Sequence, residues 1–145
     1  MIENESGEVV GDITTHHANP RVGTFAYGIS GRRAHRGQGY AAEVITLVLR
    51  HYFHELRYQK GPVGVFAWNE PSIRLHEKLG FQQEGRLRRT VFTRGQFYDE
   101  LIFGLTAEEF AARHPPAGPR RRSIGRWTRC SLGRLFGYPY NVPST

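Results

Sequence analysis

Arg36-Gly37-Gln38-Gly39-Tyr40-Ala41 stands between a strand-like run, Thr24 to Ile29, and a long segment with helical apolar periodicity. A strand, a glycine-rich turn and a helix in that order present unpaired backbone N–H groups to an anion. The first N–H groups of a helix have no carbonyl partner, and the helix dipole adds partial positive charge there. A diphosphate fits such a site without needing any particular side chain. Gly37 and Gly39 let the backbone come close to the ligand, because neither puts a Cβ in the way. Taken alone, the short pattern also suits an ordinary loop-to-helix turn, and the segment that begins at Asn69 is what strengthens it.

Outward from the turn, the chain alternates strand and helix signals. Met1 to Asn4 reads as a short strand, Glu5-Ser6-Gly7 as a turn and Glu8 to Thr15 as a second strand. His16-His17-Ala18-Asn19-Pro20 has turn chemistry, and Val22 to Ile29 is rich in β-branched and aromatic residues. Gly39 to Leu56 is helical, with Ala42, Ile45, Leu49, Tyr52, Phe53 and Leu56 on one apolar face. Gly61-Pro62 breaks the pattern, and Val63 to Trp68 suits a buried strand. Asn69-Glu70-Pro71 opens a helix that stops at Gly80. Phe81 to Thr93 and Gln96 to Leu105 form a hairpin around Arg94-Gly95, and Thr106-Ala107-Glu108-Glu109 is a capping box for a last short helix ending near Arg113.

Composition narrows the class. The chain has 145 residues, enough for one domain with a real core, and no run of about 18 apolar residues that would span a membrane. The acidic start, Met1-Ile2-Glu3-Asn4-Glu5, lacks the features of a secretory signal, and the single cysteine, Cys130, rules out an internal disulfide framework. A cytoplasmic location is the expectation. The net charge of +7 is unevenly placed: all 13 acids and 14 of the 20 Lys and Arg lie in residues 1–113, leaving that part near neutral. Residues 114–145 carry Arg120, Arg121, Arg122, Arg126, Arg129 and Arg134 with no acid. The expected organisation is a domain over 1–113 and a basic tail over 114–145, low in periodicity. Nucleic acid enters only through that tail, with Trp127, Phe136, Tyr138 and Tyr140 available to stack on bases; a solvated extension with no partner is the other reading.

The order of strand, glycine turn, helix, strand, Asn-x-x-Ser helix, Leu-Gly-Phe and closing hairpin resembles the Gcn5-related N-acetyltransferase (GNAT) superfamily, in its ribosomal-protein-alanine and polyamine acetyltransferase-like branch. Arg36 to Ala41 is similar to that family's acetyl-CoA pyrophosphate loop, and Asn69-Glu70-Pro71-Ser72-Ile73-Arg74-Leu75-His76-Glu77-Lys78-Leu79-Gly80-Phe81 to its second cofactor segment. Gly85 and Tyr98-Asp99 fit the same branch. The resemblance implies an α/β fold with a mixed, splayed β-sheet flanked by helices. It also implies acetyl-CoA as co-substrate, lying between two diverging strands, with Ile29 offering backbone groups and Val65 to Trp68 forming the other lip. Arg36, Gly37, Gln38, Gly39, Tyr40 and Ala41 would then hold the diphosphate, and Asn69 and Ser72 would reach the cofactor. For Asn69 the alternative is an N-cap, for which Asn is well suited, and the two roles can coexist.

The implied reaction moves an acetyl group from the thioester to a primary amine by direct attack in a ternary complex. The amine must first lose a proton, since at a pKa of about 10.4 roughly one molecule in a thousand is neutral at pH 7.4. The carbonyl oxygen needs a donor, which a backbone N–H can supply, and the departing thiolate is helped by a general acid. Many family members place a tyrosine for that purpose where this chain has His76; an imidazole can serve when charged, or His76 can simply sit on the helix surface. Tyr98 and Asp99 are the expected acceptor-site residues. Asp99 and Glu100 are neighbours on a strand, so only one of them can face a given cleft. The histidines His16, His17, His51 and His54 complete no metal-ligand spacing, and no metal is expected.

In two respects the chain departs from the family pattern. It starts after the strand and two helices that usually come first, so the fold is expected to be N-terminally shortened. Its first strand would be an exposed edge, which points to a homodimer or to a marginally stable monomer. The acceptor amine (a protein N-terminus, a polyamine or a small metabolite) is not readable, and a non-catalytic remnant that binds CoA or an acidic partner is the competing expectation.

Overall fold

The computed structural model describes residues 1–4, 6–32, 35 and 37–116. Arg36 and the tail from 117 onward, with its arginines and aromatics, lie outside the described residues. The strands are β1 (Ile2–Glu3), β2 (Val9–Asn19), β3 (Thr24–Gly31), β4 (Lys60–Phe66), β5 (Gln82–Thr93) and β6 (Gln96–Thr106). The helices are α1 (Tyr40–Arg50), α2 (Glu70–Leu79) and α3 (Ala107–Arg113), with one π-helical turn, His51–Glu55, continuing α1. The strands form one sheet in the order β1-β2-β3-β4-β6-β5. Only β3 and β4 run parallel, so the sheet is mixed, as the resemblance implied.

Registered pairing between β3 and β4 is confined to Thr24 and Lys60, and beyond that point the two strands part. By contrast β4 stays on β6 for its whole length, from Lys60–Thr106 to Phe66–Glu100. One face of the sheet is covered by the helices: Phe25, Tyr27, Val63, Val65, Leu101, Phe103 and Leu105 are buried there with Val44, Ile45, Val48 and Leu49 of α1. Phe25 stacks on Tyr52 at 3.8 Å between ring centroids and meets Phe53 edge-on at 5.7 Å. Both of these adjacent aromatics enter the core from the π turn, in which the Leu56 N–H donates to the His51 carbonyl five residues back.

The elements differ from the sequence reading in two places. His16 to Asn19 belong to β2, and the turn starts four residues later than expected: the Asn19 side chain accepts from Arg21 N–H at 3.0 Å and Val22 N–H at 3.3 Å. A bulge between His16 and Asn19, with His17 at φ 52°, lets the strand continue through residues whose composition suggests a turn. Gly61 and Pro62 likewise lie inside β4 instead of ending the segment before it. A Cβ at Gly61 would press on the Phe25 ring. Past Lys60 the β3 side of β4 carries no ladder, which makes β4 an edge there, the setting in which a sheet accepts proline.

His76 is the one buried polar side chain of the described core, at 1% exposure. Its Nδ1 lies 2.7 Å from the Ser72 carbonyl oxygen, which can only accept, so Nδ1 carries the hydrogen. Nε2 is then an acceptor, and the Tyr27 hydroxyl donates to it at 3.0 Å. This bond ties α2 to β3 across the core. At the other end of α2, Gly80 takes the left-handed φ of 97° that terminates the helix, under the side chain of Arg113.

Gly80→Ala should cost about 1–2 kcal/mol through the left-handed strain of an L-residue, read as a lower urea midpoint. Burial holds the His76 imidazole below the ordinary histidine range, against the opposing pull of the Ser72 carbonyl. The unfolded chain therefore takes up this proton at higher pH than the folded one. The resulting stability is complete above about pH 6.5 and is lost as pH falls from there toward the folded value. His114, lowered by burial and by Arg50, Arg113 and His54, acts in the same sense. Urea midpoints should thus fall on acidification below about pH 6.5, and His76→Gln should flatten that slope.

Candidate active site

The parallel pair sets where a ligand can enter. In an open sheet the crevice lies at the carboxyl ends of neighbouring parallel strands. The carboxyl end of β3 leads into the glycine turn and α1, and that of β4 leads through Ala67 and Trp68 to α2. Both helix N-termini therefore sit at the end where the strands have separated.

The two termini are finished differently. Gly39 caps α1 with no side-chain hydrogen bond. At α2 the Asn69 side chain accepts from Ser72 N–H at 3.4 Å, and at α3 Thr106 and Glu109 form the full capping box. Among the described helices, α1 alone leaves its first N–H groups without a side-chain acceptor. Gly37 and Gly39 have φ of 79° and 87°, and a Cβ built on either would meet no atom of a described residue within 4 Å. An N-terminus without a side-chain cap behind a turn that is open among the described residues is an arrangement that fits a diphosphate. Gln38 is exposed, and Tyr40 and Ala41 are half-buried in the first turn of α1.

On the wall of the opening, Ile29 lies near the end of β3, paired to Ile13 of β2. No strand is registered on its β4 side. A pantetheine chain carries amides that such an unpaired edge can bind. Asn69 caps α2 as one of the two sequence readings had it. Its neighbour Ser72 faces His76, with Oγ 3.4 Å from Nδ1. His76 itself is in the core and not on the helix surface; both ring nitrogens are engaged, by Ser72 and Tyr27.

The hairpin separates its two acids by strand alternation. Asp99 is in phase with the covered residues Leu101 and Phe103. Its Oδ1 accepts from Arg89 N–H at 2.8 Å and its Oδ2 from Arg86 Nε at 2.6 Å. Those two donors, the Arg89 amide first, hold the carboxyl below the usual aspartate range. Asp99 thereby closes a bulge of β5 between Leu87 and Val91, in which Arg89 has φ 56°. An open concavity of about 580 Å³ lies over this bulge, lined by Arg86, Leu87, Arg88, Arg89, Thr90 and Asp99. It involves no residue of the glycine turn.

Glu100 points the other way. It is the cross-strand partner of Phe66 and of Leu87, and its carboxylate lies against Gly64, where a Cβ would collide with Oε1. Phe66 and Trp68 stack at 5.6 Å on this uncovered face, and Tyr98 meets Trp68 edge-on at 6.3 Å. Tyr98 also accepts a hydrogen bond from the Gln96 side chain. The sequence reading named Tyr98 as an acceptor-site residue and placed Phe66 and Trp68 in the lip formed by Val65 to Trp68, with no part for their side chains in the acceptor site. Their in-phase spacing with Gly64 in a strand of alternating burial is the signal that marks them. No group of three or more His, Cys, Asp or Glu among the described residues is placed to hold a metal.

Residues 1–82 match the family model described as the acetyltransferase (GNAT) domain. The chain is 49% identical over 106 residues to an uncharacterized N-acetyltransferase, YokL, derived from the SPbeta prophage of Bacillus subtilis (strain 168), covering 73% of this chain and 60% of the relative. It is 29% identical over 84 residues to the spermidine N(1)-acetyltransferase of Escherichia coli (strain K12), covering 58% of this chain and 45% of that enzyme. The dodecameric spermidine N-acetyltransferase of Vibrio cholerae shares the fold, with a TM-score of 0.72 at 23% identity over 77% of this chain and 65% of that one. The chain spans less than two thirds of the length of these proteins. The fold built around a parted parallel strand pair and the match of its first 82 residues agree: the chain belongs to the GNAT acetyltransferase family.

Proposed function

We propose that this chain binds acetyl-CoA at the Gly37–Ala41 turn and carries the acetyl-transfer centre of an N-acetyltransferase acting on a primary amine, with polyamines as the favoured acceptor class. The observation that carries the reading is the uncapped N-terminus of α1 behind two left-handed glycines, at the carboxyl end of the only parallel strand pair in the described sheet. The names of the relatives support the amine acceptor, and a spermidine acetyltransferase among them supports the polyamine.

In this reading the first N–H groups of α1 and the turn at Gly37, Gln38 and Gly39 receive the diphosphate. The open edge of β3 around Ile29 binds the pantetheine amides, and the free part of the Asn69 amide lies at the α2 end of the same opening. Bound acetyl-CoA supplies the activated acetyl group. The amine nitrogen bonds to its carbonyl carbon as the carbon–sulfur bond breaks, the sulfur keeps the electron pair, and the amine gives up one proton. His76 does not supply the proton for the thiolate here. It is neutral, its Nε2 lone pair is taken by Tyr27, and it fixes α2 against β3. At a thiol pKa of about 8.5 the leaving group can depart as the anion and take its proton from water. The dodecameric Vibrio cholerae neighbour supports self-association as a further part of the proposal.

Gly39→Trp should weaken acetyl-CoA binding at least tenfold by titration calorimetry. The ring fills the cradle over the turn, and far-ultraviolet circular dichroism should stay that of the folded chain. Release of thiol from acetyl-CoA should depend on added amine, tested over a panel that includes spermidine, a simple alkylamine and a peptide N-terminus. Cofactor binding with no amine-dependent release across the panel would leave the chain a CoA binder and remove the transfer reading.

A further inference from the structure

We propose that the sheet face opposite the helices holds an anchoring subsite for a second, non-reacting ammonium of the acceptor, built from Glu100 with Phe66, Trp68 and Tyr98. The proposal rests on the acetyl-transfer reading and specifies which part of the acceptor the chain recognises.

The subsite follows from strand phase and charge. Glu100 and Phe66 are directly opposed on β6 and β4 at the last residue of β4, at the opposite end of the strand from Lys60, where β4 pairs with β3. Two of the aromatics beside Glu100 are unusually open for such large side chains, Phe66 at 41% and Trp68 at 42% exposure. An aromatic face attracts a cation through its quadrupole, and a carboxylate in the same site adds its own Coulombic attraction. The Trp68 ring already carries one cation, the Arg94 guanidinium at 5.4 Å from its centroid, so an acceptor ammonium would take over a contact the ring is placed to make.

Comparison with Glu84 shows what is particular about Glu100. Each of the two carboxylates packs against a glycine of the neighbouring strand, Glu84 on Gly104 and Glu100 on Gly64. Glu84 is neutralised by Lys60 Nζ at 2.7 Å. Glu100 has no ion pair with any described residue. Asp99, its neighbour, is spent on Arg86 and the Arg89 amide. Of the carboxylates on the hairpin beside the strand gap, Glu100 is the one left to receive a cation.

The second ammonium is the better assignment for chemical reasons. A carboxylate beside an ammonium stabilises the charged form and raises its pKa. Placed against the reacting nitrogen it would hinder the deprotonation that attack requires. Placed against a distal ammonium it binds the acceptor and leaves the reacting amine free to lose its proton. An acceptor with two or more amino groups satisfies both demands; a monoamine satisfies one.

The test measures kcat/KM for spermidine and for n-butylamine at saturating acetyl-CoA, together with calorimetric binding of spermidine to the CoA-loaded protein. The wild-type protein should prefer spermidine at least tenfold. Glu100→Gln should lose that preference by raising KM for spermidine at least tenfold, with the value for butylamine and the acetyl-CoA KM within twofold of wild type. Gly64→Ala should act in the same direction, because the added Cβ displaces the Glu100 carboxylate without touching any group on the acceptor. Glu84→Gln, which removes a charge already paired, should change neither amine. Equal use of the two amines by the wild type, or an unchanged spermidine KM in Glu100→Gln, would overturn the subsite while leaving acetyl transfer standing. If no amine is turned over, the transfer reading fails and calorimetry decides the subsite: spermidine binding lost in Glu100→Gln upholds it, and absence of binding to the wild type refutes it.

Discussion

The parting of β3 from β4 is the constraint on which the other features hang. Parallel neighbours normally continue their ladder, because an unpaired backbone N–H or carbonyl shielded from water costs about as much as a lost hydrogen bond. Here the ladder stops after Thr24 and Lys60; that pair joins the two halves of the sheet, while β3 stays on β2 and β4 stays on β6. The consequence is a slot whose walls still need hydrogen-bond partners. A ligand with a linear series of amides is one way to supply them, and solvent is the other. Two helices begin at the mouth of the slot, and only one of them is capped by a side chain. The open helix N-terminus at α1 and the open backbone edge along β3 are thus two results of one interruption.

Such a slot would close or shear if its walls were free to move, and the core prevents it. Phe25 and Tyr27 leave β3 on the helix side, where Phe25 stacks on Tyr52 beyond α1 and Tyr27 donates to His76 of α2. The β3 wall is therefore fixed to α2 and to the turn beyond α1 instead of to the opposite wall. A buried hydrogen bond of this kind adds modest net stability, but breaking it leaves a buried acceptor alone, which costs about 1–3 kcal/mol. That asymmetry makes the Tyr27–His76 pair a positional device. It also explains why a polar residue stands at an otherwise apolar helix position.

The local signals in the sequence carried most of the fold. The glycine turn, the Asn69 cap, the Gly80 stop and the Thr106 capping box are each decided within a few residues, and each lies where the sequence indicates. What the sequence hid depends on partners far along the chain. His16 to Asn19 look like a turn because their neighbours in β3 are not visible locally, and Gly61-Pro62 looks like a break because nothing nearby reveals that β4 has an open side. His76 has the same cause. A histidine at a helix surface and a histidine in a core share one local spacing, and only the approach of Tyr27, from the far side of the glycine turn, distinguishes them.

The same reasoning divides the two hairpin acids. Asp99-Glu100 reads as a pair of equivalent carboxylates, but alternation places them on opposite faces with unlike surroundings. On the covered side the β5 bulge brings an Arg86 guanidinium and an Arg89 amide to Asp99. On the uncovered side Gly64 makes room for Glu100 and no described cation follows it in. A bulge that places arginines along β5 also keeps that edge of the sheet from adding another strand, since charges and bulges both oppose pairing; at the opposite edge β1 is only two residues long. Any association of copies is then better served by faces than by edges. The uncovered face carries Phe66, Trp68 and Glu100 together, a mixture of apolar rings and one carboxylate that the helices do not cover.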